Sequence, residues 1–295
     1  MGRCGINIFG IDGILGGLPG VLDAARRADE ADVAFLLHTD HVVMGSRTDR
    51  YPFGRFPVPP EYPWYEPLTV LAAMAATTAR IRLGTAVLIA PLRPATFLAK
   101  QAATLDVLSD GRLDLGLGAG WQEEEFTSSS ISYEGRFDLL DDTAAACRAL
   151  WQEGPVALST PSFSFDELWC HPLPVQAGGP PLWFGGPATG RNARRIATYG
   201  VGWLPVSNLS PADLAAAVAG LRQVFADAGR DPAELKVRAG LPLARDDEKR
   251  PLLGPTLAQA DQFLEAGATE VIVGLGAFVR SAEDLDEALG AIGQA

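Results

Sequence analysis

Two adjacent residues that can bind or move a proton follow the second apolar run of the chain. Asp40 and His41 come directly after the run 33–39, and His38 lies near its end. Imidazole suits proton exchange at neutral pH because its ordinary pKa is about 6.5. Neighbouring residues at a strand end point in different directions, so Asp40 and His41 predict two separate contacts, not a carboxylate–imidazole relay. The alternative is a histidine that makes its hydrogen bonds within the protein and has no chemical role.

A short strand with small residues in its interior is the second unusual feature. Gly84, Thr85 and Ala86 stand between Leu83 and Val87. Small residues weaken a strand, and they usually mark a bulge or the close approach of another backbone or a ligand. The pattern therefore indicates a ligand site or, alternatively, a plain strand crowded by a helix.

Two glycine-rich segments end later apolar runs. The run GLGAGW over 116–121 has Trp121 where a dinucleotide fingerprint requires its third glycine, so we expect no Rossmann site. The run FGGP over 184–187 precedes a predicted helix, and free N–H groups at a helix N-terminus are typical of an anion site. A tight turn between strand and helix is the alternative for these glycines.

Regular alternation of strands and helices must position these segments. Strands are predicted at about 3–9, 33–39, 81–89, 112–118, 181–185, 201–206, 235–243 and 270–275, and helices at about 19–31, 66–79, 95–109, 136–152, 188–199, 211–228, 255–266 and 281–292. Crossover helices impose parallel strands, and eight units predict an α/β fold closed into a (β/α)8 TIM barrel over a single domain, 1–295. The segments above fall at the C-terminal strand ends, where such barrels hold their sites.

Long connections are expected to shape the substrate site. The proline-rich segments 42–65 and 154–180 are too long for simple turns, and loops of this length usually form lids or binding walls. We expect long loops after strands 2 and 4, with substrate specificity in 42–65, 121–135 and 154–180. The aromatic residues of 42–65 either form a substrate wall or pack the loop down.

Composition excludes several classes of function. The 295 residues include 36 Asp+Glu against 24 Lys+Arg, a net charge of −12 that disfavours nucleic acid. No apolar run reaches the roughly 20 residues of a membrane span, and we expect no signal peptide and a cytoplasmic protein. Three widely spaced cysteines predict reduced thiols, and three histidines are too few for a metal hydrolase, so we expect no metal site.

Five ordered segments within residues 33–205 resemble the luciferase-like monooxygenase superfamily, specifically its branch that uses coenzyme F420. They are DHVV, RIRLGTAVLIAPLRPATFLAKQAATLDVLSDGRLDLGLGAGWQEEEF, GRFDLLDDTAAACRALW, PLPVQAGGPPLWFGG and RRIATYGVGW. The resemblance implies a TIM barrel that holds a flavin or deazaflavin at its C-terminal mouth. It also implies a cis peptide bond at Ala86–Val87 behind the cofactor ring, which would explain the small residues before it.

The same resemblance assigns residues to the site. His41 is implied as the catalytic residue, together with Asp40. His38 departs from the family pattern, in which an apolar residue is commoner at this position, and it is expected to face the substrate with Trp64 and Trp121. Trp121 replaces the catalytic glutamate of the sugar-phosphate dehydrogenases, which argues against that activity. The residues implied to bind the cofactor are Asp40, His41, Thr85, Ala86, Val87, Gly118, Ala119, Gly120, Phe184, Gly185, Gly186 and Pro187.

The expected function is transfer of a hydride between F420 and a small organic substrate. One alternative is an FMN-dependent monooxygenase that uses molecular oxygen and a partner reductase; another is a barrel that binds flavin without turnover. F420 is expected over FMN because its anionic tail could meet cations near the mouth, namely Arg47, Arg50, Arg55, Arg191, Arg194 and Arg195. We expect a small-molecule substrate, no nucleic acid and no membrane; a homodimer and a flavin or deazaflavin reductase partner stay open.

Overall fold

The computed structural model describes residues 3–207 and 209–295, so residues 1, 2 and 208 of the predicted 1–295 domain lie outside the described part. Its strands are β1 (Cys4–Asn7), β2 (Phe35–His38), β3 (Arg82–Thr85), β4 (Leu88–Ile89), β5 (Leu113–Gly118), β6 (Val156–Ser159), β7 (Ser164–Leu168), β8 (Leu182–Gly185), β9 (Gly202–Leu204), β10 (Lys236–Gly240) and β11 (Glu270–Gly274). Its α-helices are α1 (Leu18–Glu30), α2 (Pro67–Thr77), α3 (Ala95–Leu108), α4 (Glu123–Ser128), α5 (Arg136–Leu150), α6 (Gly190–Tyr199), α7 (Pro211–Asp227), α8 (Leu253–Leu257), α9 (Ala260–Glu265) and α10 (Ala282–Gly293).

Nine of the strands form one parallel sheet that closes on itself. Its order is β3-β2-β1-β11-β10-β9-β8-β5-β4, and β3 also pairs with β5, where Leu83 lies opposite Leu113. Because β3 and β4 share one position, the barrel has eight strand positions with helices around it. The predicted (β/α)8 TIM barrel is confirmed.

Several element boundaries differ from the prediction in ways that affect the site. The predicted strand 81–89 is divided into β3 and β4 by Ala86–Val87, whose peptide bond is cis as the resemblance implied. The segment 121–135 contains the short helix α4. The predicted helix 255–266 consists of two shorter helices, α8 and α9.

The segment 154–180 does not belong to the substrate site, and this prediction was wrong. It follows helix α5, so it lies at the N-terminal end of the barrel strands, where β6 and β7 form a hairpin. There the side-chain amide of Gln176 donates to the carbonyl oxygen of Leu113, at the start of β5, over 2.7 Å. The long connections that do follow strands are 42–65, after β2, and the segment around α4, after β5.

A buried ion-pair network fills the barrel interior at the same end. The Arg238 guanidinium lies between the rings of Phe35 and Trp183, 4.1 Å from each centroid, and Arg238 Nη2 contacts Asp114 Oδ2 at 2.6 Å. Arg82 contacts the other oxygen of Asp114 at 2.5 Å. Burial by itself would raise the pKa of Asp114, but the two guanidinium groups outweigh it and lower the pKa. The interior is therefore solid below the strand ends that form the site.

Three sequence-level features can be compared directly with the structure. All three cysteines are free and buried, as predicted. Within residues 3–207 and 209–295, no helix is long and apolar enough to cross a membrane. The same residues bring together no group of three or more His, Cys, Asp or Glu side chains that could hold a metal ion.

Candidate active site

A large cavity opens at the C-terminal ends of the barrel strands. Its volume is about 1260 Å³, which exceeds the roughly 300–1,000 Å³ of most small-molecule sites and leaves room for two ligands. Every strand position contributes to the wall, through Asn7, Thr39–His41, Ala86–Val87, Gly118–Trp121, Gly185–Pro187, Leu204–Val206, Gly240–Leu241 and Ile272. The cavity therefore includes most of the segments that the sequence singled out.

His41 lies on this wall and is paired with a carboxylate that the sequence did not indicate. His41 Nδ1 is 2.9 Å from Glu125 Oε2, and the Glu125 side chain is fully buried. The second carboxylate oxygen, Oε1, accepts a hydrogen bond of 2.8 Å from the backbone N–H of Val42. Helix α4 thus supplies the partner that holds the imidazole.

The contact with Glu125 bears on which nitrogen of His41 carries the proton. Glu125 Oε1 accepts from Val42 N, and a carboxylate group at this position can only accept at Oε2 as well. Nδ1 of neutral His41 must then carry a hydrogen and donate it, which leaves Nε2 with a free lone pair. Nε2 makes no hydrogen bond to the described residues, so it is available to a ligand.

Asp40 is engaged elsewhere, although its residue lies on the cavity wall. Asp40 Oδ2 accepts from Ile89 N at 2.8 Å and from Arg93 Nη1 at 2.7 Å, and Oδ1 accepts from Arg93 Nη2 at 3.1 Å. With both oxygens bound and the side chain fully buried, the carboxylate joins β2 to β4. This geometry favours a positioning role for Asp40 over the predicted catalytic one.

His38 does not face the main cavity, contrary to the expectation that it contacts substrate. Leu37 packs in the barrel interior, so strand alternation turns His38 toward the helices. There it lines a separate chamber of about 20 Å³ together with Asp12 and Tyr62. His38 Nδ1 lies 2.7 Å from the carbonyl oxygen of Thr39. Burial lowers the pKa of His38, and the Thr39 carbonyl and the nearby carboxylates oppose this without reversing it.

The small residues of β3 have two different causes. An added Cβ at Gly84 would lie 2.9 Å from the carbonyl oxygen of Asp114, so this glycine is required by the neighbouring strand β5. Thr85 is buried, and its hydroxyl donates to Gly116 O at 2.6 Å. Neither residue lines the cavity, so the expected contact of Thr85 with the cofactor has no support in this geometry. Ala86 and Val87 do line it.

The remaining residues predicted to bind the cofactor fall mostly on the wall. Gly118, Ala119 and Gly120 line the cavity beside Val87, and Gly185, Gly186 and Pro187 line it from the end of β8. Phe184 is the exception, because its ring is fully buried in the helix layer. Helix α6 begins at Gly190, so Pro187 lies on the loop before the helix and not in its first turn.

The two aromatic residues predicted to face substrate, Trp64 and Trp121, both line the cavity. Their rings approach His41 edge-on, with centroid distances of 4.6 and 5.9 Å. Tyr51, Phe53 and Phe56 of the segment 42–65 also line it. The loop aromatics therefore form part of the wall.

The cations expected near the mouth are mostly engaged with acidic residues. Arg47 binds Asp49, Arg50 binds Glu123, and Arg191 and Arg195 both bind Asp141. Arg50, Arg191 and Arg195 line the cavity, whereas Arg47, Arg55 and Arg194 do not. The number of unpaired arginines at the mouth is therefore smaller than we expected from the sequence.

Arg136 is a cation of the cavity wall that sequence reasoning missed. It donates to the carbonyl oxygens of Gly120 and Tyr133 at 3.3 and 2.9 Å, and its guanidinium lies 3.7 Å from the Tyr133 ring centroid. Among the described residues, no carboxylate forms an ion pair with it. Its position was the available signal, because a cation in the first turn of a helix opposes the helix dipole.

Comparisons with known proteins agree with this architecture. The luciferase-like monooxygenase family profile matches residues 16–285. An uncharacterized protein of Mycobacterium bovis is 34% identical over 220 residues, which is 74% of this chain and 72% of that protein.

Two solved structures have similar folds. An F420-dependent secondary alcohol dehydrogenase has a TM-score of 0.75 at 17% identity, covering 100% of this chain and 98% of its own. The FMN-bound oxygenating constituent of a Pseudomonas putida 3,6-diketocamphane monooxygenase has a TM-score of 0.76 at 13% identity, with the same coverage. The chain belongs to the luciferase-like monooxygenase family.

Proposed function

We propose that this protein is an oxidoreductase that transfers a hydride between the deazaflavin F420 and a small organic carbonyl compound or alcohol. The observation that carries the proposal is the His41–Glu125 pair on the wall of a cavity that has room for two ligands. A proton must move whenever a hydride is exchanged with a carbonyl carbon. The pair supplies a group for that proton.

The wall beside His41 fits a planar tricyclic ring. Ala86, Val87 and Gly118 present small side chains or bare backbone to the cavity. Gly118 has no room for a side chain, because an added Cβ would lie 2.5 Å from Val87 Cγ2. Because no large side chain projects into the cavity here, the wall is an apolar surface against which a flat ring can lie.

Two parts of the cavity wall, Gly186 and Arg136, each offer groups that suit a phosphate. Gly186 has φ = 113° and lines the cavity just before helix α6, whose N-cap residue, Thr189, makes no side-chain capping bond. The first N–H groups of the helix are therefore available to an anion. Arg136 adds a guanidinium without a carboxylate partner among the described residues.

Residues of the protein would transfer the proton that accompanies the hydride. When bound, a deazaflavin would supply or accept two electrons and one proton together, as a hydride. In the oxidative direction, His41 Nε2 accepts the proton of the substrate hydroxyl, and Glu125 stabilises the imidazolium that results. In the reductive direction, the imidazolium returns that proton to the carbonyl oxygen. General acid–base catalysis of this kind typically contributes about 10²–10⁴-fold.

FMN is the second candidate cofactor, and one observation favours it. Arg136 and the N-terminus of α6 suffice for a single phosphate, whereas Arg47 and Arg50, predicted to hold the longer F420 tail, are paired with Asp49 and Glu123. An FMN enzyme of this family would use molecular oxygen and would need a reductase partner. A barrel that binds either cofactor without turnover is the third alternative.

Calorimetric titration with F420 and FMN, at low and moderate salt, tests the choice of cofactor. We expect F420 to bind more tightly, with the difference reduced by salt, because exposed ion pairs contribute only about 0.2–1 kcal/mol each. Equal affinities and equal salt dependence would favour FMN. Redox turnover with the bound cofactor then separates an enzyme from a binding protein.

The contribution of Arg136 can be measured separately. Arg136→Met is expected to weaken FMN binding but not riboflavin binding, because riboflavin lacks the phosphate. Arg148, which is on the same helix and outside the cavity wall, provides the matched control in Arg148→Met. Equal losses for FMN and riboflavin in Arg136→Met would assign Arg136 to structure and not to phosphate binding.

A further inference from the structure

Five aromatic side chains lie on the part of the cavity wall formed by the segment 42–65 and the end of β5, where Arg50, Pro52, Pro57 and Gly118–Gly120 also line the cavity. We call these five residues the aromatic chamber: Tyr51, Phe53, Phe56, Trp64 and Trp121. Neighbouring rings in the chamber are 5.2–6.2 Å apart, and the Tyr51 ring meets its neighbours edge-to-face. Edge-to-face walls present both ring faces and ring edges, which a flat ring system can contact on several sides.

His41, the residue proposed to carry the proton, is part of the same wall. The His41 ring lies 5.7 Å from Phe56, 4.6 Å from Trp64 and 5.9 Å from Trp121, with interplanar angles of 66–84°. A substrate oxygen at His41 Nε2 therefore places the rest of the substrate against the aromatic chamber. The chamber is positioned to select the group that carries the reacting carbonyl or hydroxyl.

Charge near the chamber disfavours an anionic substrate. Helix α4 begins with three glutamates, Glu123–Glu125, and the buried Glu125 lies directly behind His41. Arg50 lines this part of the wall, but Glu123 lies 3.4 Å from it. A carboxylate or phosphate placed against the five aromatic rings would lose water. The cation on that part of the wall, Arg50, is paired with Glu123. Arg136 contacts the backbone carbonyl of Gly120, beside Trp121, and it is assigned above to the phosphate of the cofactor.

We propose that the aromatic chamber binds an uncharged, flat ring system and that this protein's substrate is a ring-bearing ketone or the corresponding secondary alcohol. The inference rests on the proposed function, because the carbonyl or hydroxyl is placed at His41. The substrate class that it excludes is equally specific: sugar phosphates, acyl thioesters of coenzyme A and other polyanions do not fit the chamber.

Three probes of similar size separate ring character from charge. They are 2-acetylnaphthalene, its 6-carboxylate analogue, and the fully saturated decalin ketone. Binding to the cofactor-loaded protein is measured by calorimetry, so the test does not depend on turnover. We expect the neutral naphthyl ketone to bind at least tenfold more tightly than each of the other two. Equal or tighter binding of the carboxylate would overturn the inference.

A pair of tryptophan variants locates the binding. Trp121→Leu is expected to weaken naphthyl ketone binding by tenfold or more. Trp169→Leu removes a tryptophan that is 61% exposed and outside the cavity wall, and it should leave binding unchanged. Unchanged affinity in Trp121→Leu, with the protein folded, would contradict the proposal that the chamber holds the ring.

Cofactor binding, measured first on the same samples, keeps the two proposals distinguishable. If neither F420 nor FMN binds the wild-type protein, the proposed function fails, and this inference fails with it. If a cofactor binds and the naphthyl ketone shows no preference over its carboxylate, only the inference about the substrate is wrong.

Discussion

Replacement of Glu125 by glutamine should change the tautomer of His41. In the wild type, Glu125 Oε1 accepts from Val42 N at 2.8 Å, and Oε2 lies 2.9 Å from His41 Nδ1, which donates to it when the carboxylate is the acceptor. Glutamine offers only one acceptor oxygen to these two donors, and its amide group donates. If the oxygen keeps the Val42 N–H, the amide group faces Nδ1, so neutral His41 must carry its proton on Nε2.

The magnitude follows from the loss of a buried charged acceptor. A hydrogen bond to a charged group contributes about 1.5–3 kcal/mol, and each 1.4 kcal/mol corresponds to a factor of ten. We therefore expect Glu125→Gln to lower turnover by about 10–150-fold. Both effects act on the proton: Nε2 no longer has a free lone pair in the neutral form, and the imidazolium loses its anionic partner.

Nitrogen-15 NMR of the histidine side chains reads the tautomer directly and needs no substrate. The chain has only three histidines, so the spectrum is simple. His38 serves as an internal reference, because its Nδ1 lies 2.7 Å from a carbonyl oxygen that can only accept. Glu134→Gln, at an exposed position, is the control variant. If His41 keeps its Nδ1–H form and turnover stays within twofold of wild type, the reasoning about the pair is refuted.

Three further predictions address the proton carrier, the phosphate region and the barrel interior. His41→Ala should lower turnover by about 100-fold or more with little change in melting temperature; turnover equal to wild type at saturating cofactor and substrate would remove His41 from the mechanism. Gly186→Val should weaken cofactor binding more than the control Gly154→Val, which has a similar positive φ but lies outside the cavity wall; equal affinities in the two variants would make Gly186 a purely structural turn. Asp114→Asn should lower the free energy of unfolding by about 3–5 kcal/mol at pH 7, because it removes the buried negative charge that Arg82 and Arg238 share and leaves Arg238 with Glu270 alone. The pKa of Asp114 is lowered in the folded state, so this difference should persist above the unfolded pKa of about 3.9 and shrink as pH falls through the folded value. Denaturant unfolding at pH 7 and pH 3 measures it, and a difference that grows on acidification would contradict the assignment.

The barrel could be predicted from sequence because its signal is repeated eight times. Each apolar run is followed by a helical pattern, and only parallel strands with helices outside satisfy that alternation. The position of Gly185–Pro187 and Gly118–Trp121 at strand ends follows from the same alternation. These segments of the cavity wall were therefore found without knowledge of any side-chain orientation.

Individual side-chain roles were harder to predict, for identifiable physical reasons. Glu125 is one of three consecutive glutamates, and only the turn of α4 separates the buried one from its neighbours; it lies 84 residues from His41 in the chain. His38 ends the strand FLLH, in which residues on both faces are buried, so no polar alternation shows which way His38 points. The segment 154–180 was assigned to the wrong end of the barrel because its length was considered without the element that precedes it.

The contact between Asp40 and β4 has a consequence for how the site responds to its ligands. Asp40 binds the backbone N–H of Ile89, two residues beyond Val87, and it immediately precedes His41 in the chain. Arg93, itself bound to Glu66 at the start of α2, fixes the carboxylate from the other side. The surface proposed for the ring and the imidazole proposed for the proton are thereby parts of one preorganised unit, so the proposed reaction would need little reorganisation of the protein.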